Sequence, residues 1–143
     1  MRNSMEIGDQ LERITRTVDS KNIHLYAQAS GDFNPIHIDK KFGEASHFGN
    51  NIAHGMMIAS LISEMMTRNF GYAWYINGTM RIRFRAPVFP KDQITVTGEV
   101  AGIDGSKKRK LTCSVSVKRQ NNEVAISGKT TVSLLSSAQS KDS

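Results

Sequence analysis

Residues 29–42 read ASGDFNPIHIDKKF, and within eight positions of that stretch stand Asp32, Asn34, His37 and Asp39. Packing alone does not ask for such a composition. An aspartate and a histidine five positions apart, with Pro35 stiffening the chain between them, can point at one small molecule such as a water. An imidazole has an ordinary pKa of ~6.5 and so exchanges protons near neutrality. A carboxylate beside it orients the water or completes the proton transfer, and together they make a general acid–base pair. A second element is His54-Gly55, at the head of an apolar segment. The first N–H groups of a helix have no partner within it, and a glycine there lets a ligand oxygen come close. Such a helix start is a natural oxyanion site. A convincing nucleophile is missing. There is no G-x-S-x-G, and Cys113 falls on the apolar face of a strand pattern, as a core thiol does. Proton transfer next to a carbonyl therefore fits better than acyl transfer through a covalent intermediate.

Plainer readings compete. Asp-x-Asn-Pro also describes an Asx-type turn leading out of a helix. Asp32, His37 and Asp39 could hold a metal, but their spacing matches no strong zinc pattern, and no metal is expected. His24, His47 and His54 are expected to be structural or solvated, with His54 packing before the glycine.

The elements that must position these residues follow from periodicity. Asp19 is placed to cap a helix over about 20–30 that Gly31 can end, with Val18 as its staple and Ile23, Tyr26, Ala27 and Ala29 near helical spacing. Pro35 pushes Asn34 out of helical geometry. Residues 56–66, MMIASLISEMM, are apolar nearly all round, which predicts a helix buried on most sides. Period-two alternation then runs through Thr79–Ala86, Ile94–Val100, Leu111–Val117 and Val124–Val132. Turn-like DGSKK (104–108) and QNN (120–122) join the last three strands into an antiparallel meander. The expected fold is α+β: an antiparallel sheet wrapped around one central apolar helix, the shape of a hot-dog domain. Residues 1–135 would form that domain, with 136–143 a polar tail.

A chain of 143 residues is one ordinary domain with room for a core. The single cysteine rules out an internal disulfide and fits a reducing compartment. MRNSMEIGDQ has no apolar run, so no signal or transit peptide is expected, and a cytoplasmic location is the default. The net charge of +6 favours anionic partners. Nucleic acid is disfavoured, because no recognition motif is present and aromatic residues make up only 7%.

Residues 26–39, YAQASGDFNPIHID, resemble the complete hydratase motif of the MaoC-like, (R)-specific enoyl-CoA hydratase family. IAHGM (52–56), Ser63 and FRAPVFPKD (84–92) resemble further pieces of that family in the right order, and the likeness covers about residues 5–134. The resemblance implies that Asp32 and His37 are the catalytic pair bracketing the reacting water. It implies that the Gly55 N–H binds the thioester oxygen and that Asn34 and Ser63 are polar neighbours of the pair. It also implies reversible hydration of trans-2-enoyl thioesters to (R)-3-hydroxyacyl thioesters by a homodimer. No cofactor is expected beyond coenzyme A or acyl carrier protein as part of the substrate. A thioesterase of the same fold and a non-catalytic acyl-thioester binder are the alternatives; the intact Asp32 and His37 argue against both.

Arg81, Arg83 and Arg85 share one face of a strand, opposite Met80, Ile82 and Phe84. They are candidates for a coenzyme A phosphate or an acidic carrier surface. Lys107-Lys108-Arg109-Lys110, at a hairpin, is either a solvated turn that protects an edge or a second anion site.

Overall fold

The computed structural model describes residues 5–105 and 109–134. Lys107 and Lys108 of the basic hairpin and the tail 136–143 lie outside these. Strand β1 (Ile14–Thr17) opens the chain, followed by α1 (Ser20–Ser30), α2 (Pro35–Ile38), α3 (Lys40–Ala45), α4 (Gly55–Phe70) and α5 (Tyr72–Asn77). Strands β2 (Thr79–Phe84), β3 (Gln93–Asp104), β4 (Lys110–Lys118) and β5 (Val124–Ser133) complete it. The five strands form one antiparallel sheet in the order β1-β3-β4-β5-β2.

The alternation in β4 shows why a sheet forms here. Leu111, Cys113, Val115 and Val117 are buried, and the residues between them face outward. Ile94, Val96 and Val100 of β3 and Ile126 and Val132 of β5 extend the apolar face. Against it lies α4, which buries Ile58, Ala59, Ile62, Met65, Met66 and Phe70. Covering its five large side chains is worth about 7–15 kcal/mol gross, an upper figure since the unfolded chain already buries some of that area. The wrapped central helix, the antiparallel meander β3-β4-β5 and the α+β class are as the sequence predicts.

Three details differ. Helix α4 continues to Phe70, because Asn69 and Phe70 stay on the buried face while Thr67 and Arg68 take the solvent side. Its burial is incomplete near its start: Met56 is 57% exposed, and Met57 and Leu61 are half-covered. One five-stranded sheet covers one face of a helix. Phe84, grouped by alternation with the core-facing Met80 and Ile82, is 53% exposed. In addition, β1 supplies an edge strand whose four residues are too short a run for periodicity to reveal. Among the described residues, no helix is long and apolar enough to cross a membrane.

Candidate active site

Helix α1 delivers the acid. Asp19 caps its start by accepting from the Asn22 N–H at 2.7 Å. Gly31, at φ +79°, ends it with its N–H on the Ala27 carbonyl. That left-handed turn is open to glycine without strain, and it swings the chain out so that Asp32 emerges beside the helix end. Asp32 Oδ1 accepts from the Asn34 N–H at 3.2 Å, so the Asx turn is real and is part of the site. Asn34 Oδ1 in turn accepts from the Ile36 N–H at 3.0 Å and caps α2, with Pro35 as the first helical residue.

One turn of α2 presents His37. Its Nδ1 lies 2.8 Å from the Ile52 carbonyl oxygen, which can only accept. Nδ1 therefore carries a proton and Nε2 is turned toward Asp32. Nε2 and Asp32 Oδ2 stand 3.9 Å apart, with the His37 side chain 11% exposed and the Asp32 side chain 54% exposed. That gap is too long for a direct hydrogen bond. An oxygen at about 2.8 Å from each atom would see them at an angle of roughly 90°, a geometry one water can satisfy.

The loop before α4 locks onto the same unit. Asn51 Nδ2 donates to the carbonyls of Ile36 and Asp39, each at 2.9 Å, and the Ala53 N–H donates to the Val88 carbonyl at 2.8 Å. The three motif pieces, distant in sequence, thus share one hydrogen-bonded frame. Gly55 is the first residue of α4, so its N–H has no partner inside the helix. The Phe84 ring lies on it: a Cβ added at Gly55 would stand 2.8 Å from Phe84 Cε1. A cavity of about 300 Å³ opens there, lined largely by apolar side chains including Phe48, Ile52, Ile58, Phe84 and Ile126, with Gly55 in its wall. Asp32 and His37 are not among its lining residues; they connect to it through Ile52, whose carbonyl holds His37.

The remaining sequence candidates distribute as follows. Ser63 is eight residues along α4 from Gly55, about 12 Å of helix rise, and accepts from Trp74 Nε1 at 2.8 Å. It braces α5 and makes no hydrogen bond to the pair. Arg81, Arg83 and Arg85 are all exposed, as expected. Arg85 reaches Ser127 Oγ at 3.3 Å, and Arg81 stands opposite Lys129 across the β2–β5 pair. Asp39 is not near the pair's reactive atoms in role: it caps α3 by accepting from the Phe42 N–H. The histidine that joins the pair is His54, whose ring stacks on His37 with centroids 3.8 Å apart. Spacing offered no signal for it, because the contact spans 17 residues of chain.

Among the described residues, ligating atoms of Asp32, His37 and His54 lie within 4.8 Å of one another, a group that could hold a metal ion. Two ligands of a tetrahedral zinc at ~2.1 Å stand roughly 3.4 Å apart, closer than the 3.9 Å between His37 and Asp32. One His54 nitrogen is also committed to a backbone carbonyl.

Two further ionisable groups bear on stability and chemistry. Asp92 is buried, which by itself raises a carboxyl pKa. Hydrogen bonds from Arg119, Gln120 and the Phe89 N–H, with the Arg119 charge, outweigh that and hold it below the usual value. This cluster ties the loop after β2 to the β4–β5 hairpin. Burial pushes the Cys113 thiol up to about 11, against a weaker opposing hydrogen bond with Thr130, so it is no ready nucleophile.

Residues 2–122 match the model of the MaoC like domain. The chain belongs to that family. The (R)-specific enoyl-CoA hydratase of Aeromonas caviae is 30% identical over 131 residues, covering 92% of this chain and 96% of the relative. The 3-hydroxybutyryl-CoA dehydratase of Methylorubrum extorquens is 37% identical, over 90% of this chain and 80% of the relative. The solved structure of the (R)-hydratase from A. caviae involved in PHA biosynthesis superposes with a TM-score of 0.82 at 28% identity, covering 94% of this chain and all of that one. The hot-dog fold is that of these MaoC-like structures. The class read from the motif, a hydro-lyase, is the class of these named hydratases and dehydratases.

Proposed function

We propose that this MaoC-like protein reversibly hydrates trans-2-enoyl thioesters, of coenzyme A or acyl carrier protein, to (R)-3-hydroxyacyl thioesters. The observation that carries the reading is the 3.9 Å gap between His37 Nε2 and Asp32 Oδ2, set beside a helix that begins at Gly55. The thioester carbonyl lies against the Gly55 N–H, and that polarisation makes C3 electrophilic. A water held by Asp32 and His37 gives its hydroxyl to C3, and a proton reaches C2. Negative charge builds on the thioester oxygen as the bond forms, so a donor aimed at that oxygen stabilises the transition state more than the substrate. The apolar cavity beside Gly55 suits an apolar part of the substrate. The arginines of β2 suit its anionic part: Arg81 faces Lys129, a like-charge pair that an anionic partner would relieve.

The active form in this reading is a homodimer. β2 is a terminal strand of the sheet, and Met56 and Tyr75 are 57% and 82% exposed. A second copy would cover such a surface. Light scattering that finds an active 15.9 kDa monomer contradicts the dimer.

The test is absorbance of a crotonyl thioester with free thiol followed in parallel. Loss of the enoyl absorbance without thiol release is the expected result. Thiol release indicates a thioesterase, and binding without either change indicates a passive carrier.

A further inference from the structure

His54 touches both members of the pair, and neither the family match nor the motif gives it a part. It is 3% exposed. It occupies the cap position of α4, yet its side chain makes no capping hydrogen bond. Its Nε2 instead lies 2.9 Å from the main-chain carbonyl of Asp32, and since a carbonyl only accepts, Nε2 carries the proton. Its ring is sandwiched: His37 lies on one contact at 3.8 Å and 23°, Tyr26 on another at 4.8 Å and 22°. Its Nδ1 is buried with no hydrogen-bond partner among the described residues. A buried acceptor left unpaired is a standing cost, which a residue that only packed would not need to carry.

We infer that His54 is a positioning residue that fixes the catalytic pair from both sides. Its Nε2–H holds the backbone from which the Asp32 carboxylate projects. Its ring face, backed by Tyr26, restricts rotation of His37 about the one hydrogen bond His37 makes to Ile52. Those two restraints together set the Asp32–His37 gap, and proton transfer through a shared water is sensitive to such a distance. A phenyl ring can replace the stack but not the N–H, and a glutamine amide can replace the N–H but not the stack. The inference rests on the hydratase reading for its kinetic arm only.

The experiment compares His54→Phe and His54→Gln, each alone and with His37→Ala, in the crotonyl thioester assay with thermal unfolding alongside. Each single variant should lower kcat about tenfold and leave KM within about twofold while the fold persists. With His37→Ala, His54→Gln should add no further loss, because the ring it removes has nothing left to hold. Full kcat in a folded variant, a loss confined to KM, or losses that multiply when His54→Gln is combined with His37→Ala each overturn the inference. If neither variant folds, ¹⁵N NMR of the unaltered protein decides. It should show His54 protonated at Nε2, with His37 ring protons shifted upfield by the stacked ring; an Nδ1-protonated His54 or unshifted His37 protons overturn it. An inactive wild type would refute the hydratase reading and leave this NMR result standing or falling by itself.

Discussion

Gly55 has two possible reasons to be glycine, and the structure allows them to be separated. A Cβ there would lie 2.8 Å from Phe84 Cε1, 3.0 Å from Cδ1 and 3.4 Å from Cζ. In Gly55→Ala the ring must move, and it can, because Phe84 is 53% exposed. Losing that contact is offset by the better helix propensity of alanine, worth up to about 1 kcal/mol, so stability should stay within about 1 kcal/mol of the parent. Activity should not survive as well. An oxyanion needs its donor at about 2.7–3.1 Å, and a methyl group on the same residue keeps the oxygen farther out. Losing one such donor typically costs 10²–10³ in kcat, so a fall of roughly a hundredfold is expected. The assay is steady-state hydration of a crotonyl thioester, with chemical denaturation as the control. The decisive comparison is Gly55→Ala combined with Phe84→Ala, which removes the clash but not the methyl group. Activity that returns in the double variant, or that never falls in the single one, refutes the oxyanion role.

Replacing Arg81, Arg83 or Arg85 singly with glutamine should raise KM for at least one of them and leave kcat nearly unchanged, with an effect that shrinks as salt screens the charges. Kinetics at low and high ionic strength decide it, and unchanged KM throughout moves the anion site elsewhere. Asp92→Ala should destabilise by about 3 kcal/mol at pH 7, since it leaves the largely buried Arg119 with the half-exposed Glu123 as its remaining carboxylate partner among the described residues, beside the Phe89 ring. Because the Asp92 carboxyl is held below its usual value, its stabilisation is present above the ordinary carboxyl pKa of ~3.9 and fades as pH falls through the lower, folded value. Denaturation of the parent and of Asp92→Asn should therefore begin to draw together once pH falls below the ordinary carboxyl value, and a gap that stays constant well into acid contradicts the pairing.

Much of the arrangement was legible because it rests on local rules. Period-two burial in β3 to β5, the Asp19 cap and the Gly31 stop need only neighbouring residues, and the structure realises them. So was the proximity of Asp32 and His37, which one helical turn behind Pro35 enforces. What escaped depends on contacts across the chain. The exposure of Met56 reflects how much of α4 one sheet can cover, which no window on the sequence contains. Phe84 alternates correctly but lies where β2 passes the first residue of α4, so its ring meets Gly55 rather than the core. The bond that Ser63 Oγ accepts from Trp74, eleven residues on, is likewise outside what the motif shows. His54 is packed, as the sequence suggests, but its partners Tyr26, Asp32 and His37 stand 28, 22 and 17 residues earlier, beyond any local window.

The central claim is that Asp32 and His37 carry the chemistry by holding one water, and it is tested most directly by removing each in turn. Turnover of the crotonyl thioester by Asp32→Asn and by His37→Ala should each fall by on the order of a hundredfold or more, with unfolding midpoints close to the parent's. The two variants should also bind the thioester nearly as well as the parent does. A folded variant of either kind that keeps near-normal turnover contradicts the account.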